Sequence, residues 1–171
     1  MSFTSLVGHS YGAWIALRYA LNAPARVDRL VLLDPTNCFT GFSPRYLLRA
    51  LPMLLRPTPA RNAAFLRWET GGAELDPRWW HLAALAADFP AARPVAGPRP
   101  RPARLRTLKP PTLLLLAERS RAHDIAEVAA RARAALRDVE TATLPKATHH
   151  TLPVGSPPET YDRVAGFLAS E

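Results

Sequence analysis

Two short apolar runs place the strongest constraint on how this chain can fold. Val27–Leu33 reads V-D-R-L-V-L-L, and Thr112–Leu116 reads T-L-L-L-L directly after two prolines. Runs of this length that are rich in Leu and Val are typical of strands buried on both faces of a parallel sheet. Parallel strands need crossover connections, which are usually helices. The sequence therefore predicts an α/β protein.

Further segments continue this alternation of strand and helix. We expect strands at Ser2–Val7 and Val139–Leu144, and helices at Tyr11–Ala23, Asp124–Leu136 and Glu159–Ala169. Asp124 is a residue type favoured at helix N-caps, and Glu127 three positions later completes the pattern of a capping box. Together the segments predict about four parallel strands with helical crossovers.

A long stretch separates the second predicted strand from the third. It contains helical candidates at residues 44–55, 60–68 and 76–87. Its tail, residues 90–104, holds five prolines and several arginines, and such a composition predicts an extended linker. We therefore expect a core formed by residues 1–35 and 106–171, with residues 36–105 inserted into it.

Composition narrows the class of protein. The net charge is +8 and comes mostly from arginine, but no aromatic residue lies within Arg93–Arg119, where six arginines fall, so no base-stacking platform for nucleic acid is expected. The single cysteine, Cys38, excludes an internal disulfide and a Cys-rich zinc site. The sequence holds neither an apolar run long enough to span a membrane nor a signal peptide at its start. These features predict a cytoplasmic protein.

One motif carries the chemistry. Gly8-His9-Ser10-Tyr11-Gly12 fits the pattern G-x-S-x-G, between a predicted strand and a predicted helix. In this turn the serine adopts a strained conformation that lifts its hydroxyl clear of the sheet, and we expect glycine at both flanking positions because a Cβ atom there would collide. The N–H of Tyr11 would point to where an oxyanion forms. The alternative is that Ser10 simply caps the helix.

Four segments of the chain resemble the α/β-hydrolase fold family, and they follow one another in the family's order. They read L-V-G-H-S-Y-G-A-W-I-A-L, R-V-D-R-L-V-L-L-D-P, P-P-T-L-L-L-L-A-E-R and L-P-K-A-T-H-H. The resemblance implies a partial α/β-hydrolase fold in which residues 36–105 take the place of the family's helical cap. It covers only the C-terminal half of that fold, so we expect an N-terminally truncated chain. Strand Ser2–Val7 would then be an open sheet edge, through which copies of the chain could self-associate.

The resemblance also assigns roles to residues of this sequence. It implies that Ser10 is the nucleophile and that the Tyr11 N–H is one oxyanion donor. The base would be His149 or His150. The family's loop, Gly-small-Gly-His, aligns with Lys146-Ala147-Thr148-His149. This alignment favours His149 as the base and leaves His150 as its neighbour.

The acid of the expected triad is harder to place. At the position where the family usually reads G-x-x-D, this chain reads Ala117-Glu118-Arg119-Ser120, and a serine cannot stabilise an imidazolium as a carboxylate does. Two other residues are candidates, Asp34 after the second strand and Asp124 at the start of a helix. Since capping already gives Asp124 a structural role, we favour Asp34, which must then hydrogen-bond the histidine.

A serine nucleophile favours acyl transfer through an acyl-serine, as in esterases, thioesterases and lactonases, on a small or medium apolar acyl substrate and without a metal or cofactor. Relatives that displace halide or open epoxides use aspartate at this position, so those activities are not expected. The insertion's aromatic residues would either line the acyl pocket or form a small core of their own; they are Phe39, Phe42, Tyr46, Trp68, Trp79, Trp80 and Phe89. The alternative function is a catalytically inactive fragment or interaction module, because the resemblance offers no counterpart of the family's first strands and oxyanion loop.

Overall fold

The computed structural model describes residues 3–88, 95 and 97–170. Its elements are β1 (Thr4–His9), α1 (Tyr11–Asn22), β2 (Val27–Leu33), α2 (Pro44–Leu55), α3 (Pro59–Glu69), α4 (Pro77–Asp88), α5 (Pro102–Leu105), β3 (Thr112–Ala117), α6 (Ile125–Ala135), β4 (Val139–Leu144) and α7 (Pro158–Ala169). The four strands form one parallel sheet in the order β1-β2-β3-β4. The predicted α/β class with four parallel strands is confirmed. None of the helices in this described part has the length and apolar character needed to cross a bilayer.

The central strands β2 and β3 are buried because helices cover both faces of the sheet. Side chains alternate between the two faces along each strand. Leu30 of β2 and Leu114 of β3 face a core shared with α1 and α6, whereas Val31 and Leu113 face the opposite side, where α7 packs. Each fully buried Leu or Val side chain stabilises the fold by about 1.5–3 kcal/mol. The continuous apolar runs in the sequence therefore reflect burial on two sides.

β1 lies at one edge of the sheet and pairs only with β2 among the described strands. The side chains of Phe3, just before β1, of Val7 in β1, and of Ile15 and Tyr19 in α1 are correspondingly exposed. The edge position was expected from the sequence. Self-association through it stays a prediction.

The helices α2, α3 and α4 all fall within the predicted insertion, and aromatic side chains pack α2 against α3. The ring of Tyr46 in α2 meets the ring of Phe65 in α3 edge-on, with centroids 5.2 Å apart, and lies 6.1 Å from the ring of Trp68. After α3 the chain turns through Gly71 and Gly72, whose φ angles are +64° and +80°. The division of the chain into a core and an insertion stays a prediction.

Two details differ from the expectations. The predicted linker is not extended to its end, because residues 102–105 form α5, with proline at a favourable first helical position and Leu105 buried in the core. Residues 90–94 and 96 of this linker lie outside the described residues. At the start of α6 only half of the capping box forms. Asp124 accepts from two backbone N–H groups, but the Glu127 carboxylate pairs with Arg131 instead of returning to the cap.

Candidate active site

The turn between β1 and α1 holds Ser10 in a strained backbone conformation. Its φ is 54° and its ψ is −119°, in a region that non-glycine residues rarely adopt. The backbone is fixed there by a hydrogen bond from the Ser10 N–H to the Leu33 carbonyl, at 3.0 Å. The Ser10 side chain makes no capping hydrogen bond to α1, so the alternative of a capping serine is wrong. Its Oγ lies 2.8 Å from Nε2 of His149.

The two glycines of the motif are not equivalent. A Cβ atom on Gly8 would lie 2.5 Å from the carbonyl oxygen of Gly12 and 2.7 Å from the backbone of Ala13, which confirms the predicted collision at this position. A Cβ atom on Gly12 would meet nothing within 4 Å. The predicted collision at Gly12 is therefore wrong, because the site for its Cβ faces open space among the described residues.

This difference leads to a prediction for a matched pair of variants. We expect Gly8→Ala to lower the free energy of unfolding by at least about 2 kcal/mol, because the clash is with backbone atoms that cannot move independently. Gly12→Ala should instead be neutral or stabilise the protein by up to about 1 kcal/mol, since alanine is the better helix former. Urea denaturation of both variants measures the two effects. Equal effects would contradict this description of the turn.

The carboxyl ends of the four strands lie at the same end of the sheet, as in parallel α/β folds generally. Ser10 follows β1, Asp34 follows β2, His123 lies in the loop after β3, and His149 lies in the loop after β4. The structure thus brings together three of the residues that the sequence singled out. The parallel sheet brings these residues together although they lie up to 139 positions apart in the sequence.

His149 is buried and lies between Ser10 and Asp34. Its Nδ1 is 2.6 Å from Oδ2 of Asp34, and its Nε2 faces the serine. Lys146, in the same loop, has a φ of 61°, and it stands where the family pattern has glycine, the residue that adopts this conformation without strain. The ring of His150 turns elsewhere, with Nδ1 2.7 Å from Oε2 of Glu69. Of the two candidate histidines, it is therefore His149 that contacts Ser10.

Asp34 is fully buried, and its carboxylate accepts four hydrogen bonds. Oδ2 accepts from His149 and from the Ser120 hydroxyl, both at 2.6 Å, and Oδ1 accepts from Nε2 of His123 and the N–H of Ala117, both at 3.2 Å. Burial alone would raise the pKa of Asp34, but the hydrogen bonds and charges of His123 and His149 outweigh it and hold that pKa well below its usual range. The carboxylate is therefore ionised.

The alternative acid, Asp124, lies elsewhere. Its Oδ1 accepts hydrogen bonds from the N–H groups of Ala126 and Glu127, at 2.9 and 3.1 Å. Asp124 therefore caps α6, as its position at the start of the predicted helix indicated. Ser120, which stands in the family's usual acid position, donates to Asp34. The structure thus brings Asp34, and not Asp124, against His149, while the catalytic role of Asp34 stays a prediction.

His9 binds the loop after β4 that carries His149, which we call the histidine loop. Its Nε2 lies 2.8 Å from the carbonyl oxygen of His149, and the two ring centroids are 4.6 Å apart. Burial, followed by the charge of His149, lowers the pKa of His9 to about 4. At neutral pH the His9 ring is therefore uncharged and donates its Nε2–H to that carbonyl.

Tyr11 begins α1, and its N–H lies at the positive end of the helix dipole. Among the described residues no oxygen accepts a hydrogen bond from this N–H, so it remains available as the predicted oxyanion donor. The Tyr11 side chain is used differently, since its hydroxyl donates to the Val95 carbonyl at 2.6 Å. Tyr11 and Val95 both line a cavity that opens beside Ser10.

A cavity of about 490 Å³ opens beside Ser10. Its walls are mostly apolar and include Trp14, Phe42, Tyr46, Leu47, Met53 and Phe65. None of the described residues that line it carries a charged side chain. Burial raises the pKa of the Tyr46 hydroxyl, which therefore stays neutral as well. The cavity suits an uncharged group of moderate size.

The aromatic residues of the insertion divide into two groups, while their role in an acyl pocket stays a prediction. Phe42 and Tyr46 line the cavity. The others pack within the protein: Phe39 in the core, Trp68 against Phe65, Trp79 against His150, and Trp80 beneath Arg67. Phe89 lies outside the described residues.

Two buried residues near His149 were missed at the sequence level. His123 binds the carboxylate of Asp34, and its only sequence signal is its place in a loop after a buried strand. Glu69, at the end of α3, binds the histidine loop and has no such signal, because nothing local shows that α3 ends beside that loop.

Together Asp34, His149 and Ser10 form a continuous line of hydrogen bonds. A carboxylate that accepts from Nδ1–H fixes the tautomer of the histidine, so that Nε2 presents its lone pair to the serine hydroxyl. Such an arrangement can remove the serine proton during attack on a carbonyl.

In the described part of the chain, no three His, Cys, Asp or Glu side chains are grouped as a metal site would require.

Comparison with known proteins agrees with the fold. A model described as "Alpha/beta hydrolase family" matches residues 3–165. Carboxylesterase CesB from Bacillus subtilis superimposes with a TM-score of 0.85 at 21% identity, and the match covers 99% of this chain and 61% of that one. Naproxen esterase from the same organism gives a TM-score of 0.87 at 23% identity, covering 98% and 60%. The chain thus spans about three-fifths of these proteins. "Abhydrolase domain-containing protein abhd-5.2" of Caenorhabditis elegans is 45% identical over 42 residues, 25% of this chain and 9% of that protein.

Proposed function

This chain belongs to the alpha/beta hydrolase family, and we propose that it carries the site of an esterase in which Ser10 is the nucleophile, His149 the base and Asp34 the acid. The observation that supports this proposal is the line of hydrogen bonds from Asp34 through His149 to Ser10, with distances of 2.6 and 2.8 Å. A buried carboxylate, a buried imidazole and a strained serine in this order are the parts that acyl transfer needs.

The proposed reaction has two halves, and in each of them His149 acts first as a base and then as an acid. Ser10 Oγ attacks the ester carbonyl carbon while His149 Nε2 takes the hydroxyl proton, and the negative charge of Asp34 stabilises the resulting imidazolium. The carbonyl oxygen becomes an oxyanion that accepts from the Tyr11 N–H. His149 then passes its proton to the departing alkoxide, which leaves as an alcohol. In the second half a water molecule attacks the acyl carbon while His149 takes its proton. The bond to Ser10 Oγ then breaks, His149 returns the proton to that oxygen, and the carboxylic acid is released.

The cavity supports a substrate with an uncharged, apolar acyl group of medium size. Its volume is about 490 Å³, and none of the described residues that line it is charged. Such a cavity suits an aliphatic or aryl chain. The two Bacillus subtilis structures named above bear the names of a carboxylesterase and a naproxen esterase. Those names point to the same reaction class, ester hydrolysis, for this chain.

The preference for uncharged acyl groups provides the test. We expect the kcat/KM for p-nitrophenyl hexanoate to be at least about 10²-fold higher than the kcat/KM for the mono-p-nitrophenyl ester of adipic acid. The second acyl chain has a similar length but ends in a carboxylate. The reason is that a carboxylate buried without a partner costs several kcal/mol. Met53→Lys, which places a cation in the cavity wall, should narrow this difference. Equal kcat/KM values for the two esters, or no hydrolysis of either, would contradict the proposal.

A further inference from the structure

Glu69 is a buried carboxylate that the proposed reaction does not use. It is the last residue of α3 and is completely shielded from solvent. Both of its oxygens are directed at the loop that carries the base. Oε1 accepts from the backbone N–H of His149 at 3.2 Å, and Oε2 lies 2.7 Å from Nδ1 of His150.

With Glu69 included, His149 is held at four points. Asp34 binds its Nδ1 and Ser10 faces its Nε2. His9 donates to its carbonyl oxygen, and Glu69 accepts from its N–H. The first two contacts set the direction of the ring, whereas the last two set the position of the backbone from which the ring extends.

The end of α3 is itself anchored to the core. The guanidinium of Arg121 donates to the Trp68 carbonyl oxygen and lies over the Trp68 ring, 5.0 Å from its centroid. Thr70 closes the helix by donating its hydroxyl to the Leu66 carbonyl at 2.9 Å. Glu69 is thus presented to the histidine loop by a fixed support.

A carboxylate in this setting binds strongly to its donors. Taking it out of water costs several kcal/mol unless hydrogen bonds replace the lost hydration, and in the described part of the chain both of its partners belong to the histidine loop. Neither α3 nor the loop can therefore shift without leaving a buried carboxyl oxygen without its donor. This dependence resists small displacements of His149, and a misplacement of about 1 Å at a reacting group can cost about 10²-fold in rate.

We infer that Glu69 is a positioning residue that holds the backbone of His149 in place and so couples the helical insertion to the base of the site. The inference rests on the proposed function, because positioning His149 matters to catalysis only if His149 is the base. Glu69 binds the backbone of His149 and the ring of His150, and it touches none of the atoms that react.

The test compares three variants of the purified protein. With p-nitrophenyl hexanoate, Glu69→Ala should lower kcat by about 10²-fold while KM changes by no more than about threefold, because the cavity walls are untouched. Glu69→Gln keeps one acceptor oxygen and nearly the same volume, so it should lose about tenfold in kcat. Glu74→Gln, a change at an exposed acid of the same insertion, should leave both constants unchanged.

Three results would overturn the inference: an unchanged kcat in folded Glu69→Ala, a loss that appears only in KM, or an equal loss in Glu74→Gln. If Glu69→Ala does not fold, then Glu69→Gln decides by the same criteria. A second measurement is independent of activity. The low-field proton NMR signal of His149 Nδ1–H should shift or broaden in Glu69→Gln and stay unchanged in Glu74→Gln. If the unaltered protein hydrolyses no ester, the proposed function fails, and this signal alone still supports or overturns the positioning role.

Discussion

Replacing Ser10 with alanine is expected to lower kcat for a neutral ester by about 10⁶-fold, the scale of loss for a removed serine nucleophile. The hydroxyl is the only group on this turn within hydrogen-bond distance of His149 Nε2, at 2.8 Å. His149→Ala should cost about the same, and so should the double variant, because the two side chains act as one unit. Initial rates with p-nitrophenyl hexanoate measure all three.

Ser120→Ala is the matched control for the serine change. Its hydroxyl also lies in the site, but it donates to Asp34, and Ser120 is not among the described residues that line the cavity beside Ser10. Since Asp34 keeps three other donors, we expect a loss in kcat of about tenfold or less. Substantial turnover by Ser10→Ala, or an equally severe loss in Ser120→Ala, would contradict the assignment of Ser10.

Asp34→Asn is expected to lower kcat by about 10⁴-fold, the loss that follows when the acid of such a triad becomes an amide. An amide carries no charge to stabilise the imidazolium, and its NH₂ group favours the wrong tautomer of His149. The pKa of Asp34 lies below the usual range of an aspartate because His123 and His149 bind its carboxylate. The charge that the variant removes is therefore present at every pH of the assay. Kinetics on protein shown to be folded by circular dichroism measures the effect.

Asp124→Asn makes the same chemical change at the other candidate acid. Asparagine is as good an N-cap as aspartate, so α6 should keep its cap and kcat should stay within about twofold of the unaltered protein. Activity retained in Asp34→Asn and lost in Asp124→Asn would reverse the assignment. Comparable losses in both variants would show that neither result reports on the acid.

The parts of the fold that could be predicted from the sequence are those set by local patterns. Val27–Leu33 and Thr112–Leu116 are strands because their apolar side chains repeat without interruption, and burial on two faces rewards that composition. The conformation of Ser10 was also predictable, because the motif requires it. The choice between His149 and His150 depended on the alignment with the family's loop.

Features that depend on distant contacts were harder to predict. The sequence favoured Asp34 over Asp124 only because capping already gave Asp124 a structural role. The contact between Asp34 and His149 depends on the meeting of loops at one end of the sheet. Glu69 was missed for the same reason, because its partners lie 80 and 81 positions away. At Gly12, the motif predicted a collision that the packing of the described residues does not produce.

Covalent labelling provides a direct test of whether Ser10 is an activated nucleophile. The purified protein is treated with a fluorophosphonate, which reacts with serine only where a base assists, and the adduct is located by mass spectrometry of the digested protein. We expect one adduct, on Ser10, that is absent in His149→Ala and present in Asp124→Asn. A folded protein that carries no adduct, or carries it on another residue, would show that Ser10 is not an activated nucleophile and would favour a non-catalytic role.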